Sequence, residues 1–431
     1  TINYWHEVSA DIVRRRLETV QNTEDAKNLI LFLGDGMSIP TLTAARIYLG
    51  QLDNEAGENR QLSFEKFPYT GLSKTYCVDS QVADSACSAT AYLTGVKGNL
   101  YTVGVTGKVG KKDWKAMNNK AFHTKSILHW AQDAGKGSGF VTTCRVTDAS
   151  PSGTYAHSAY RYWETDQDIL KDDPEAVKQG TRDIATQLME DEPGIKFKVI
   201  MGGGRQTFLP KEAHDGYGNS GKRGDKKDLI QTWKDHKKSI NATGTYITNR
   251  TELLEFDVDN NDYLLGLFNG GHMDFQQKRT NDLQPTLAEM TRLAIKMMKK
   301  EPKGYVLFIE SGRIDHAHHE NKAHLALDET VELHWAVQVA TRMTSEDDTL
   351  IVVTADHAHT LALNGYPVRG SEIFTNIENT MDNLTYSTLS YANGPNNNRF
   401  NPQGHQHNIA FDRREDVDYT FQTINLLEME T

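Results

Sequence analysis

The sequence predicts an α/β protein: a large, mostly parallel central sheet with helices on both faces, plus a small loop-rich crown subdomain. Three observations carry this expectation. Short unbroken apolar runs of strand length recur along the chain, as strands buried on both faces do. Stretches of helical length lie between them, so strand and helix alternate. The 431 residues are many for one core, and a single enlarged α/β domain with insertions accommodates them.

Five apolar runs read as strands: 28–33, 138–142, 198–201, 305–309 and 349–354. The helical stretches are 38–49, 86–93, 125–134, 180–189, 287–300 and 325–342. Two regions break the rhythm. Residues 206–285 read as a surface insertion, most polar at 211–238, where Gly, Asp and Lys abound. Residues 364–431 lack long periodic segments and carry Asn-Gly and Pro signals near 393–397. The catalytic domain is therefore expected over 1–363, and the crown-like subdomain over 364–431. There is no internal repeat and no low-complexity segment.

Hydrophobic residues make up 38% and charged residues 24%, which suits a globular protein. The net charge of −11 argues against nucleic-acid binding, which needs a basic surface. It also means that an anionic ligand requires local cations, either metals or an arginine. No apolar run is long enough to span a bilayer. The first residues do not read as a signal peptide and are compatible with a processed N-terminus. The three cysteines, Cys77, Cys87 and Cys144, are expected as small buried apolar residues rather than a disulfide framework. Asn241, Asn249 and Asn383 head sequons that would allow glycosylation.

Three strand-like runs end in carboxylates: Asp35, Glu310, and Asp356 with His357 beside it. In open parallel sheets, ligands bind outside the carboxyl ends of the strands. Three strands could deliver these groups to one metal pocket. Each could instead cap a following helix. Asp315 and His319 stand four apart, so on a helix they face the same way and suit a zinc with open positions. His316 points elsewhere on that helix, and His359 follows His357 in the second cluster. Two Asp/His clusters and a separate Glu suggest paired metals, which clamp the attacking and leaving oxygens of a phosphoryl displacement.

Asp84-Ser85 precedes a helix of small residues, where backbone N–H groups can hold phosphate oxygens. Ser85 is the candidate nucleophile; an ordinary helix cap is the alternative. Cys87 is a rival nucleophile that would face the core. A metal ion would make the weak serine hydroxyl reactive, and a forked arginine matches the phosphoryl oxygens.

These segments together resemble animal-type alkaline phosphatases. The resemblance rests on Leu33-Gly-Asp-Gly-Met37, Asp84-Ser85, Ala89-Thr-Ala-Tyr92, Gly95-Val-Lys97, Ala149-Ser-Pro-Ser-Gly-Thr-Tyr-Ala-His157, Gly202-Gly-Gly-Arg205, Gly312-Arg-Ile-Asp-His316 and Thr354-Ala-Asp-His357. It implies a broad phosphate monoesterase with a phosphoserine intermediate on Ser85, two zinc ions and one magnesium ion. Arg161 would hold the phosphate. Ser85, Asp356 and His357 would surround one zinc, and Asp315 and His319 the other. Asp35 would bridge the first zinc and the magnesium, with Ser150 and Glu310 completing the magnesium ligands. Asp84, Asp148, His316 and His359 would stand behind these. Tyr366 would reach a second subunit in a homodimer. Secretion or a lipid anchor outside the cell would follow.

Four departures from the family pattern stand out. Animal relatives usually carry His at Asp148. The calcium ligands of mammalian members align with Asn269 and Gln284, which puts calcium in doubt. The cysteines of the family's disulfides are missing. The third zinc histidine, in a Thr-His-Gly-Gly-like motif, would begin where the chain stops at Thr431, so the sequence is expected to be a piece lacking the C-terminal part of the catalytic domain and any anchor signal. As it stands, it is expected to retain the water-activating zinc weakly. Among rivals, sulfatases need a Cys/Ser-x-Pro-x-Arg context that Ser85 lacks, and phosphodiesterases commonly use Thr there. A non-catalytic scaffold is the rival from another class.

Overall fold

A computed structural model of the chain describes residues 1–216, 218–279, 283–378 and 385–393. Seven strands form one sheet: β1 (Asn28–Gly34), β2 (Gly137–Arg145), β3 (Val199–Gly203), β4 (Gly244–Ile247), β5 (Tyr263–Leu267), β6 (Tyr305–Ser311) and β7 (Thr349–Thr354). Their spatial order is β4-β5-β3-β2-β6-β1-β7, and every pair is parallel. The five runs expected as strands are β1, β2, β3, β6 and β7.

Side chains alternate across this sheet, and each set meets helices. Leu31, Leu33, Phe140, Ile200 and Phe308 face one way, against Ala86 and Ala89 of the helix Ser85–Thr94 and Leu188 of Ile184–Glu190. Ile30, Phe32, Val141, Met201, Leu307 and Ile309 face the other, against Met290 and Ala294 of Leu287–Met298 and Val337 of Ala323–Met343. Helices therefore cover both faces, which is why the strands carry no polar alternation.

The stretch 206–285, expected as a surface insertion, is corrected here: it supplies β4 and β5, which extend the sheet beyond β3. Both strands are short, and Gly266 weakens the strand signal of β5. A side chain there would meet the Phe268 ring at 2.7 Å, so close packing explains the glycine. The helix Ile2–Glu18, which the sequence reading did not single out, buries none of its residues.

Beyond β7 the chain forms two small antiparallel ribbons. β8 (Leu361–Leu363) pairs with β11 (Leu389–Tyr391), and β9 (Asn376–Glu378) with β10 (Thr385–Ser387). The Tyr391 hydroxyl lies 2.7 Å from His318 Nδ1, which docks β11 on the helix Arg313–His319. Asn383 and the rest of the expected crown, 394–431, lie outside the described residues. Among the described residues no helix is long and apolar enough to cross a membrane.

Candidate active site

β1, β6 and β7 are adjacent and in register, so Leu33 pairs with Glu310 on one side and Thr354 on the other. Their carboxyl ends therefore release Asp35, Glu310 and Asp356 side by side. Gly36 turns the chain after Asp35 with a φ of +65°, and its N–H donates to Asp356 Oδ1 at 2.9 Å. A Cβ at Gly36 would lie 2.4 Å from the His359 ring, so only glycine fits this turn.

Ser85 begins the helix Ser85–Thr94 directly after its N-cap, Asp84. Asp84 accepts from the N–H groups of Ala86 and Cys87 at 3.2 and 3.3 Å. The cap reading thus belongs to Asp84, and the Ser85 hydroxyl is left for other partners. It donates to Asp35 Oδ1 at 3.4 Å and lies 3.2 Å from His357 Nε2. His357 Nε2 is 3.2 Å from Asp356 Oδ2, and Ser150 Oγ donates to Asp35 Oδ2 at 3.4 Å. Ser88 Oγ, one turn along the helix from Ser85, donates to Asp356 Oδ2 at 3.4 Å.

Arg161 reaches the same place from the loop after the helix Ala149–Ser152. Its Nη1 donates to Asp84 Oδ2 at 3.1 Å and its Nη2 to Asp148 Oδ1 at 3.4 Å. The buried Nε of Arg161 has no partner among the described residues. Burial opposes ionisation of Asp148, but Arg145, His272 and Arg161 outweigh it and hold its carboxyl well below the usual range.

Asp315 sits on the helix Arg313–His319 with His319 3.3 Å from its Oδ2. His359 makes a short hydrogen bond to Asp315 Oδ1. The ligand atoms of Asp315, His319 and His359 lie within 4.8 Å of one another, as do those of Asp35, Asp315 and His357. His359, expected only behind the ligands, is therefore placed among candidate donors.

The donor set fits metals. Asp35, Glu310, Asp315 and Asp356 are all buried. Burial, then the charges of Asp356, Asp315 and Glu310, pushes the Asp35 carboxyl well above its ordinary value. Burial and the nearby Asp148 and Asp356 charges push Glu310 up to about 8, despite a short hydrogen bond from Thr142. Buried carboxylates so crowded need cations among them. Imidazole with carboxylate suits zinc, whereas the Asp35, Ser150 and Glu310 oxygens suit magnesium.

A second group, Cys144, Asp148, His272 and His316, also brings ligand atoms within 4.8 Å. Two guanidiniums already occupy it: Arg145 makes a short contact to His272 Nε2, and Arg313 Nη1 lies 2.9 Å from His316 Nδ1. Arg145 and His272 were missed from the sequence; a lone Arg at a strand end and a lone His in a loop carry no signal. Asn269 and Gln284 are engaged locally, Asn269 with the Gly270 N–H and Gln284 with Asp274. Tyr366 is 99% exposed. Asn241 is exposed, whereas the Asn249 side chain caps the helix Arg250–Leu254.

One expectation about the cysteines is overturned. Cys77 and Cys87 form a disulfide, with Cα atoms 5.9 Å apart and ten residues of separation. It ties the preceding loop to the first turn of the helix that carries Ser85, and it rules out Cys87 as a nucleophile. A count of three could not show this, because the pairing depends on the loop folding back. Cys144 is buried and free. The denatured, unreduced chain is expected to show one titratable thiol, and Cys77→Ser should lower stability by roughly 3 kcal/mol. Three titratable thiols would contradict the bond.

Comparison with known proteins agrees with this architecture. The family model for alkaline phosphatase matches residues 26–431. The membrane-bound alkaline phosphatase of Bombyx mori is 46% identical over 398 residues, covering 91% of this chain and 72% of that protein. The chain belongs to the alkaline phosphatase family. The human tissue-nonspecific alkaline phosphatase is likewise 46% identical over 400 residues, covering 91% of this chain and 75% of that one. Among solved structures, the alkaline phosphatase of Thermus thermophilus superposes with a TM-score of 0.62 at 26% identity, over 80% of this chain and 62% of that chain. That of the Antarctic bacterium TAB5 gives 0.60 at 22% identity, over 80% and 83%, and so speaks for the fold alone. This member of the family is accordingly a phosphatase enzyme.

Proposed function

We propose that this phosphatase hydrolyses phosphate monoesters of broad structure at alkaline pH, through a phosphoserine on Ser85. The observation that carries the reading is the placement of the Ser85 hydroxyl. It is buried at a helix start, 3.4 Å from Asp35 and 3.2 Å from His357, with Arg161 tied to the neighbouring Asp84.

Ser85, Asp35, Asp356 and His357 would hold one zinc, and Asp315 and His319 a second, with His359 against Asp315. Asp35, Ser150 and Glu310 would hold a magnesium. These ions supply Lewis acidity and make bound oxygen groups better nucleophiles.

Ser85 Oγ bonds to phosphorus as the ester P–O bond breaks and the alcohol leaves. Water then attacks the same phosphorus, the Ser85 Oγ–P bond breaks, and inorganic phosphate is released. Arg161 can present two N–H groups to two phosphoryl oxygens, while Asp84 and Asp148 hold it in place. Such a site grips the phosphoryl group and little of the alcohol, which accounts for breadth.

The exposed Tyr366 suits a contact with a second subunit, and Asn241 suits glycosylation. The Cys77–Cys87 bond suits an oxidising compartment, so we place the protein at the cell surface or secreted. Acid quenching during turnover of an aryl phosphate should trap phosphate on Ser85, identified by peptide mapping. Phosphate on another residue, or none under conditions where the intermediate accumulates, would refute the proposal. Arg161→Ala is expected to weaken inhibition by inorganic phosphate at least tenfold, on the order of one charge-assisted hydrogen-bond pair.

A further inference from the structure

A line of buried charges runs from Arg161 through Asp148 and Arg145 to Glu164. Asp148 Oδ1 accepts from Arg161 Nη2 at 3.4 Å and lies 3.5 Å from Arg145 Nη2. Arg145 is clamped in turn by Glu164. Its Nε lies 3.1 and 2.9 Å from the two Glu164 oxygens, and its Nη2 lies 2.8 Å from Oε1. Thr147 adds a short hydrogen bond to Glu164 Oε2. Asp148 and Glu164 are both buried, and the Arg145 and Arg161 side chains are only 16% and 15% exposed.

We propose that Glu164 is a positioning residue for phosphate binding, acting through Arg145 and Asp148 on Arg161. This rests on the reading above that Arg161 holds the phosphoryl group.

One carboxylate oxygen of Asp148, fixed in place by the Ala149 N–H at 2.8 Å, serves two guanidiniums, so what each takes of its remaining capacity depends on the other. Glu164 holds Arg145 along its Nε edge and neutralises it. Arg145 then reaches Asp148 only at the longer 3.5 Å, and Arg161 keeps its own hold on the shared oxygen. Glu164→Gln removes that neutralising charge. The buried Arg145 would close on Asp148, where low polarity strengthens the attraction. Arg161 would then be held mainly through Asp84. A fork fixed at one end meets two phosphoryl oxygens less often, so the loss appears in phosphate binding rather than in bond making at Ser85.

The test uses the zinc- and magnesium-loaded enzyme as wild type, Glu164→Gln, Arg161→Ala and the double variant. For each, kcat and KM for 4-nitrophenyl phosphate and Ki for inorganic phosphate are measured. Glu164→Gln is expected to raise KM and Ki together, about fivefold, with no fall in kcat. In the Arg161→Ala background it should change neither. An equal effect in both backgrounds, a fall in kcat at constant KM, or an unchanged Ki would overturn the proposal. If Arg161→Ala itself leaves Ki unchanged, the phosphate role of Arg161 fails instead. Should Glu164→Gln not fold, Thr147→Val removes only the hydroxyl given to Glu164. It should raise Ki about twofold, on the scale of one neutral hydrogen bond, and an unchanged Ki there counts against the relay.

Discussion

Ser85→Ala is expected to lower kcat by roughly four orders of magnitude or more, as loss of a covalent nucleophile does. The substitution removes one oxygen and leaves the helix start intact, because Asp84 and not Ser85 caps it. Arg161 keeps its partners, so inorganic phosphate should still bind. The hydroxyls of Ser88 and Ser150 are already given to Asp356 and Asp35 and do not replace Ser85. The measurement is saturating turnover of an aryl phosphate, alongside phosphate inhibition and a melting curve. Turnover close to wild type would end the nucleophile assignment. Lost turnover with lost folding would instead show a structural role.

Removing cations with a chelator should abolish turnover and also destabilise the fold in a pH-dependent way. Glu310 is pushed up to about 8 by burial and its acidic neighbours, and Asp35 shifts the same way. A carboxyl with a raised pKa in the folded state holds a proton that the unfolded chain releases. Its contribution is therefore complete below the ordinary carboxylate pKa and is lost as pH rises toward 8. His157, His272, His316, His318 and His334, whose pKa values burial lowers, act in the opposite sense over this window. The comparison is therefore with Glu310→Gln, which keeps them but has no proton to release. The melting temperature of the metal-stripped wild type, relative to metal-stripped Glu310→Gln, should fall from pH 5 to pH 8. Adding zinc and magnesium at pH 8 should restore melting temperature and activity together. A difference between the two proteins that does not change with pH would show that Glu310 does not drive the instability. Asp315 and Asp148 carry lowered pKa values, so their stabilisation is lost only below the ordinary carboxylate range, outside this window.

Much of this was legible before the fold was seen, and for a physical reason. β1 and β6 are buried on both faces and β7, at the sheet edge, is half-buried, yet each is a plain apolar run, and a carboxylate at its end is conspicuous. Asp35, Glu310 and Asp356 could be named because a parallel sheet gathers its strand ends. Asp315 and His319 were legible from helical spacing. β4 and β5 were not, because both are short and carry a glycine, Gly244 and Gly266.

What the sequence determined by itself was therefore the alternating α/β order, the acidic strand ends, and Asp84-Ser85 at the start of a small-residue helix. These depend on periodicity and on neighbours within a few residues. Tertiary structure alone decided which distant groups share an atom. It brought Cys77 onto Cys87, His359 onto Asp315, and Arg145 and Arg161 onto one oxygen of Asp148. Such meetings arise from loop paths and chain crossovers, and no local spacing records them.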